Sequence, residues 1–292
     1  MINFNDFFKT YNCHISDDAV QQATAKIISE HFAENNNIEV YRQCLNLIDL
    51  TSLNGNDTEA GIRSMVEKVN NFKTNFPHLP NVAAICVYPS MTPVVKHCLT
   101  EPIGIASVAA GFPASQTFLE VKIAETAMAV LSGASEVDVV ISIGKFLEEK
   151  YGEVYEELVE IKDACRDAHL KVIIETGDLK TAENITKASL LAMEAGADFI
   201  KTSTGKIPVA ATVEATYVMC NAIKEYCRKT GQTVGYKPAG GIVSTDDAVK
   251  HYTLVKEILG KEWLNNTRFR FGASRLANNL LTSIEGREIR YF

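Results

Sequence analysis

The sequence predicts an α/β fold, a single (β/α)8 TIM barrel preceded by an N-terminal helical extension. Short apolar, partly β-branched runs recur eight times, near residues 44–50, 82–88, 103–110, 136–142, 171–176, 198–203, 233–237 and 268–272. Segments with helical spacing of apolar residues lie between them, and a repeated strand-then-helix alternation argues for a closed parallel barrel over an open sheet. The length agrees: 292 residues could make two average domains, but about 250 residues is typical of one such barrel. The expected organisation is an extension over 1–40 and a barrel over 41–292.

Taken in order, the elements have local reasons. The extension carries an amphipathic helix through Val20, Ala23, Ile27 and Ile28, followed by the polar stretch Glu34-Asn35-Asn36-Asn37. It is expected to pack across the barrel bottom or flank. The first run holds Leu47-Ile48-Asp49-Leu50-Thr51 and the second Ala84-Ile85-Cys86-Val87-Tyr88-Pro89. After the third run, Phe118, Val121, Ala124, Met128 and Leu131 stand at helical spacing. In the fourth run strand alternation puts Glu136, Asp138 and Val140 on one side, leaving Val137, Val139 and Ile141 for the helical shell. The fifth ends at Glu175 and is followed by a helix through Ile185, Ala188, Leu191 and Ala195. The sixth closes on Asp198-Phe199-Ile200-Lys201 and the seventh on Val234-Gly235-Tyr236-Lys237. Ser244 with Asp247 forms a capping-box pattern that opens a helix over 245–259. The eighth run leads into Gly272-Ala273-Ser274.

Composition excludes several classes. The formal charge is −7, from 29 basic and 36 acidic residues, without a basic cluster, which argues against nucleic acid or an anionic membrane as partner. Seven cysteines, at 13, 44, 86, 98, 165, 220 and 227, are odd in number and form no CxxC pair, so neither a disulfide framework nor a zinc module is expected. The histidines lack ligand spacing, and no metal or other cofactor is expected. The start lacks the basic residues and apolar core of a signal peptide, and no run is long enough to cross a bilayer. A reducing, cytoplasmic setting is expected. A homo-oligomer is left open.

Lys201 and Lys237 each end an apolar run and are followed at once by glycine-bearing turns, Thr204-Gly205-Lys206 and Gly240-Gly241. That suggests an amine catalyst beside a phosphate cradle. A lysine needs its pKa lowered by about three units, or about 4 kcal/mol, to be a free amine near neutrality. A second ammonium about 4–5 Å away supplies about 3–4 kcal/mol at an effective dielectric near 20, so one neighbour could do most of the tuning. A lone strand-end lysine is more often a salt-bridged rim residue. Asp138, ending an apolar strand, is a buried charge that needs a partner.

The stretch Phe199-Ile200-Lys201-Thr202-Ser203-Thr204-Gly205-Lys206 and the later Tyr236-Lys237-Pro238-Ala239-Gly240-Gly241 resemble the two signatures of the deoxyribose-phosphate aldolase family. Leu47–Thr51, Ala84–Pro89, Glu136–Val140, Val172–Gly177 and Phe271–Ser274 are similar to the same family, so the likeness runs from about 44 to about 280. The resemblance implies cleavage of 2-deoxyribose 5-phosphate to acetaldehyde and glyceraldehyde 3-phosphate. Lys201 would form the imine, Asp138 would move the proton, and Lys237 would lower the Lys201 pKa. Thr202, Gly205, Lys206, Gly240, Gly241, Gly272 and Ser274 would hold the phosphorylated substrate, with Asp49, Thr51 and Cys86 on its sugar portion. Glu175 would catalyse or act as counter-ion to the lysines. Arg275 departs from the family's second serine, and Tyr291 in the tail is a candidate proton shuttle. The alternatives are another imine-forming sugar-phosphate aldolase, or a silent sugar-phosphate sensor.

Overall fold

The computed structural model describes residues 2–11 and 13–292. The chain begins with α1 (Phe4–Lys9), α2 (Asp17–Asn35) and α3 (Ile38–Asn46), the last spanning the residue-40 boundary expected from sequence. The alternation then starts: β1 (Ile48–Thr51), α4 (Glu59–Asn70), α5 (Phe72–Asn75), β2 (Ala84–Val87), α6 (Thr92–Cys98), β3 (Gly104–Ala109) and α7 (Leu119–Leu131). It continues through β4 (Glu136–Val140), α8 (Ile143–Leu147), α9 (Tyr151–Cys165), β5 (His169–Ile173), α10 (Thr176–Leu179) and α11 (Ala182–Glu194). It ends with β6 (Phe199–Lys201), α12 (Val213–Thr230), β7 (Gly235–Lys237), α13 (Thr245–Leu259), β8 (Phe271–Ala273) and α14 (Arg275–Glu285).

Each of the eight apolar runs overlaps a strand. The strands form one sheet in the order β7-β6-β5-β4-β3-β2-β1-β8, with parallel pairing throughout. Parallel bridges between Tyr236 and Phe269 and between Ala239 and Gly272 close β7 on β8. The predicted capping box is present at Ser244 and Asp247, and α13 has the predicted bounds.

Two local readings change, and a third is narrowed to one of its alternatives. Residues 44–46 of the first run belong to α3, where Cys44 and Leu45 are buried; a short apolar run alone does not separate strand from buried helix. The α7 spacing marks the outer face of the helix, since Phe118, Val121, Met128 and Leu131 are exposed while Lys122, Thr126 and Ala129 face inward. The extension takes the flank, with α2 against α12 and α13, held by a 3.2 Å bond from Asn35 Nδ2 to Thr253 Oγ1.

Alternation along the strands separates two cores. Ile48, Leu50, Val137, Val139, Val172, Ile200 and Tyr236 join the large apolar layer between barrel and helices. The barrel interior is instead charged on one side, through Asp49, Glu136, Asp138, Lys171, Lys201, Lys237 and Arg270, all buried. On the other it is small and apolar, through Cys86, Ala106 and Val108 under Leu53. Most barrels fill this space with branched aliphatic residues. Seven buried ionisable groups there require mutual pairing.

Candidate active site

The C-terminal ends of the strands open into a cavity of about 480 Å³, the size of a small-molecule site. Lys201 reaches it, and Thr51, Gly205, Lys206, Gly240, Gly241, Gly272 and Ser274 line it. Asp49, Cys86, Asp138, Thr202 and Lys237 are buried behind the lining. Thr202 ties two loops together, its hydroxyl accepting from Ala239 N at 3.0 Å and donating to Ala239 O at 3.2 Å.

Lys201 and Lys237 are register partners on adjacent strands, so parallel pairing sends both side chains inward. Their ammonium groups converge on one oxygen, Asp138 Oδ2, at 2.7 Å and 2.8 Å. Lys237 also bonds Asp49 Oδ2. Lys171 pairs with Glu136 and lies 3.1 Å from Asp49 Oδ2 and 3.2 Å from Asp138 Oδ1. Arg270 completes the cluster, with Nη1 2.5 Å from Asp49 Oδ1 and Nη2 2.8 Å from Glu136 Oε1. Among the described residues Asp138 Oδ1 accepts no hydrogen bond; its approach to Lys171 is an ion contact and not an aligned bond.

The charges set the protonation states. Burial lowers the pKa of Lys201, the nearby Lys237 charge lowers it further, and Asp138 opposes both. Burial works the same way on Lys237, but Asp138 and Asp49 outweigh it and its pKa rises. Lys171 is likewise raised against burial by Asp138, Asp49 and Glu136. Burial would raise Asp138, yet Lys171, Lys201 and Lys237 hold it well below the carboxylate range. Desolvation thus ranks ahead of the facing lysine in freeing Lys201, where sequence reasoning gave the neighbour most of the effect.

The loops after β6 and β7 meet backbone to backbone. A Cβ on Gly240, whose φ is +84°, would stand 2.8 Å from Gly205 Cα, so the glycines let the loops form one wall. The α14 N-terminus, at Ser274 and Arg275, forms the facing side; its unpaired N–H groups suit an anion. Arg275 is exposed at the mouth. Lys206 Nζ donates to Leu53 O across the cavity.

Two expectations fail on geometry. Glu175 is no counter-ion to the lysines: it accepts from Thr204 Oγ1 at 2.5 Å and from Thr204 N at 3.2 Å, and burial raises its pKa. Its left-handed backbone, φ 53°, turns the carboxylate toward the β6 loop. Tyr291 does not reach the mouth, because it packs on Phe72 and Phe76 and donates to Lys68 O at 2.7 Å. Phe292 lines the cavity instead. Sequence reasoning also missed Lys171 and Arg270, although both share inward parity with residues it placed inside the barrel. His31, Glu34 and Glu257 cluster on the flank between α2 and α13, where Lys256 already pairs with Glu34 at 2.8 Å.

Fold and site together define a TIM-barrel protein whose ionisable groups gather beneath the C-terminal strand ends, where barrel enzymes do their chemistry. The profile described as DeoC/LacD family aldolase matches residues 44–257. Deoxyribose-phosphate aldolase of Homo sapiens is 43% identical over 254 residues, covering 82% of this chain and 78% of that protein. The Bos taurus protein of the same name is 42% identical over 245 residues, covering 78% and 76%. The solved deoxyribose phosphate aldolase from Aeropyrum pernix has the same fold, with a TM-score of 0.67 at 23% identity over 88% of this chain and 96% of that one. The chain belongs to the DeoC/LacD family: it is an aldolase.

Proposed function

We propose that the chain reversibly cleaves 2-deoxy-D-ribose 5-phosphate into acetaldehyde and D-glyceraldehyde 3-phosphate through an imine on Lys201. The named relatives favour this substrate. One observation carries the choice of nucleophile: Lys201 reaches the cavity and is held by a single carboxylate that it shares with other cations. Its amine attacks C1 of the open-chain sugar, and the carbonyl oxygen departs as water, leaving a protonated imine. The C3 hydroxyl gives its proton, through water, to Asp138, whose Oδ1 has acceptor capacity to spare. The C2–C3 electron pair then flows into the iminium to form an enamine, releasing the phosphorylated aldehyde. Protonation at C2 and hydrolysis free acetaldehyde and return the amine.

Lys237, kept charged, adds to the electrostatic pressure on Lys201 and orients Asp138. Lys206, the amides around Gly205, Gly240 and Gly241, and the α14 N-terminus at Gly272 and Ser274 hold the phosphate, and Thr51 borders the sugar. The crescent of Cys86, Ala106 and Val108 favours a two-carbon donor, since it offers little volume and no polar partner. Seven free cysteines fit a reducing, cytoplasmic setting.

The test is acetaldehyde with borohydride, followed by peptide mass spectrometry. An ethyl adduct on Lys201 and cleavage of deoxyribose 5-phosphate are expected. Binding without an adduct would favour the sensor, and faster cleavage of another sugar phosphate would favour a different imine aldolase.

Self-association through α7 is part of the same reading. Phe118, Val121, Met128 and Leu131 are 78%, 48%, 66% and 87% exposed. They present on the order of 500 Å² of apolar surface, against about 800 Å² per partner in a standard interface. A helix crossing its own copy on a two-fold axis would bury that stripe on both sides. Sedimentation should show a dimer that Phe118→Lys with Leu131→Lys dissociates; a monomeric unaltered protein at tens of micromolar would end this reading.

A further inference from the structure

Among the described residues the charged cluster of the barrel interior holds four cations, Lys171, Lys201, Lys237 and Arg270, against three carboxylates, Asp49, Glu136 and Asp138. With every group ionised it carries one surplus positive charge, and it becomes neutral when one amine gives up its proton. The contact map selects which. Lys171 meets three carboxylates, while Lys237 and Arg270 meet two each. Lys201 meets only Asp138, on an oxygen it shares with Lys237. Arginine does not deprotonate in proteins, so the guanidinium is a permanent member of the count.

We propose that Arg270 is a positioning residue for the reaction: its fixed charge, clamped on Glu136 and Asp49, leaves the cluster one anion short and so drives the proton off Lys201. The inference rests on Lys201 being the imine-forming amine. Once the imine forms, the surplus charge returns as the iminium, which the same imbalance makes a stronger electron sink. The other groups facing Lys201 do not alter the count. Cys86 on β2 has its thiol pKa raised by burial and stays uncharged. Glu175, beyond β5, bonds Thr204 and pairs with none of the four cations. Lys206 lies in the cavity lining, tied to Leu53 O.

The experiment measures the rate of borohydride trapping of acetaldehyde on Lys201 between pH 5 and 9, read by intact mass. Arg270→Met balances the charges with Lys201 protonated, so the acid limb should move to higher pH by about one unit, a roughly tenfold slower trapping at any pH on that limb. Glu136→Gln leaves four cations on two carboxylates and should move the limb the other way. Arg270→Lys keeps the charge and should restore the original limb. A purely structural role would move melting temperature without opposite shifts of the limb. Limbs that stay in place, or move in the same direction in Arg270→Met and Glu136→Gln, would overturn the inference. If Arg270→Met does not fold, the nearly isosteric Glu136→Gln decides by the sign of its shift. If the unaltered protein forms no adduct on Lys201, the imine reading has failed, and that outcome is distinct from an adduct with unmoved limbs.

Discussion

Gly240 shows how a single residue carries the substrate wall. Its φ of +84° and the 2.8 Å separation its Cβ would have from Gly205 Cα leave no room for a side chain. Alanine there meets a left-handed penalty of about 1–2 kcal/mol and pushes the β6 and β7 loops apart. Gly240→Ala should therefore raise KM for the phosphorylated substrate at least about tenfold, equivalent to about 1.4 kcal/mol, with kcat changed only a few-fold. Acetaldehyde, which has no phosphate, should still be trapped at the normal rate. Steady-state kinetics with an unchanged KM would refute the wall. The glycines, Lys201 and Lys237 were readable in the sequence because each punctuates the end of a run, and Asp138, which lies in the middle of β4 and not at its end, because it is a charge inside an apolar run. Lys171 and Arg270 were not, because what makes them buried and paired comes from elsewhere. Their bonds to Asp49 span 122 and 221 positions, and no local pattern records partners so distant.

At the scale of elements, hydrophobic spacing found α7 but not its orientation. The inward face carries Lys122, which donates to Ser142 Oγ at 2.8 Å and to Glu157 Oε2 at 3.1 Å, and Glu157 also receives Lys145 at 2.7 Å. Burial would raise the Glu157 pKa, but Lys145, Ser142 and Lys122 together hold it low. A polar network at a helix interface turns the apolar stripe outward, and spacing rules assume the opposite. The strands were easier to read, because their shell-facing positions, such as Ile48, Leu50, Val137, Val139, Val172 and Ile200, are apolar even where the alternate positions are charged. Lys122→Ala leaves a buried carboxylate with fewer partners, so it should cost about 3 kcal/mol, the lower end for breaking a buried pair because Lys145 remains. Chemical denaturation showing a loss below about 1 kcal/mol would mean the network contributes little to holding α7.

Across the whole molecule, β7, α12, α13 and the N-terminal extension are joined by polar links that the sequence did not reveal, although the helices themselves were legible. Tyr236 OH donates to Thr216 Oγ1 at 2.8 Å, and Thr216 Oγ1 pairs with His251 Nδ1 at 2.7 Å. His251 is buried on α13, the helix that α2 covers. Burial lowers its pKa from 6.5 to about 4. Between those values the unfolded chain takes up a proton that the folded one refuses, so stability falls as pH drops from about 6.5 to about 4. The loss is complete below about pH 4 and amounts to about 3 kcal/mol. Asp49 and Asp138 behave differently: their folded pKa values lie below the ordinary carboxylate value, so the stability they add is present above about pH 4 and lost only in stronger acid. Glu175, raised by burial, opposes the histidine within the same window. Comparison with His251→Gln isolates the histidine, because that variant keeps every carboxylate. Its urea-unfolding free energy should vary less between pH 6.5 and 4.5 than that of the unaltered protein, and the two should fall alike below pH 4. Parallel curves through the upper window would mean that His251 takes up its proton in the folded state, and that the Tyr236–Thr216–His251 chain is open to water.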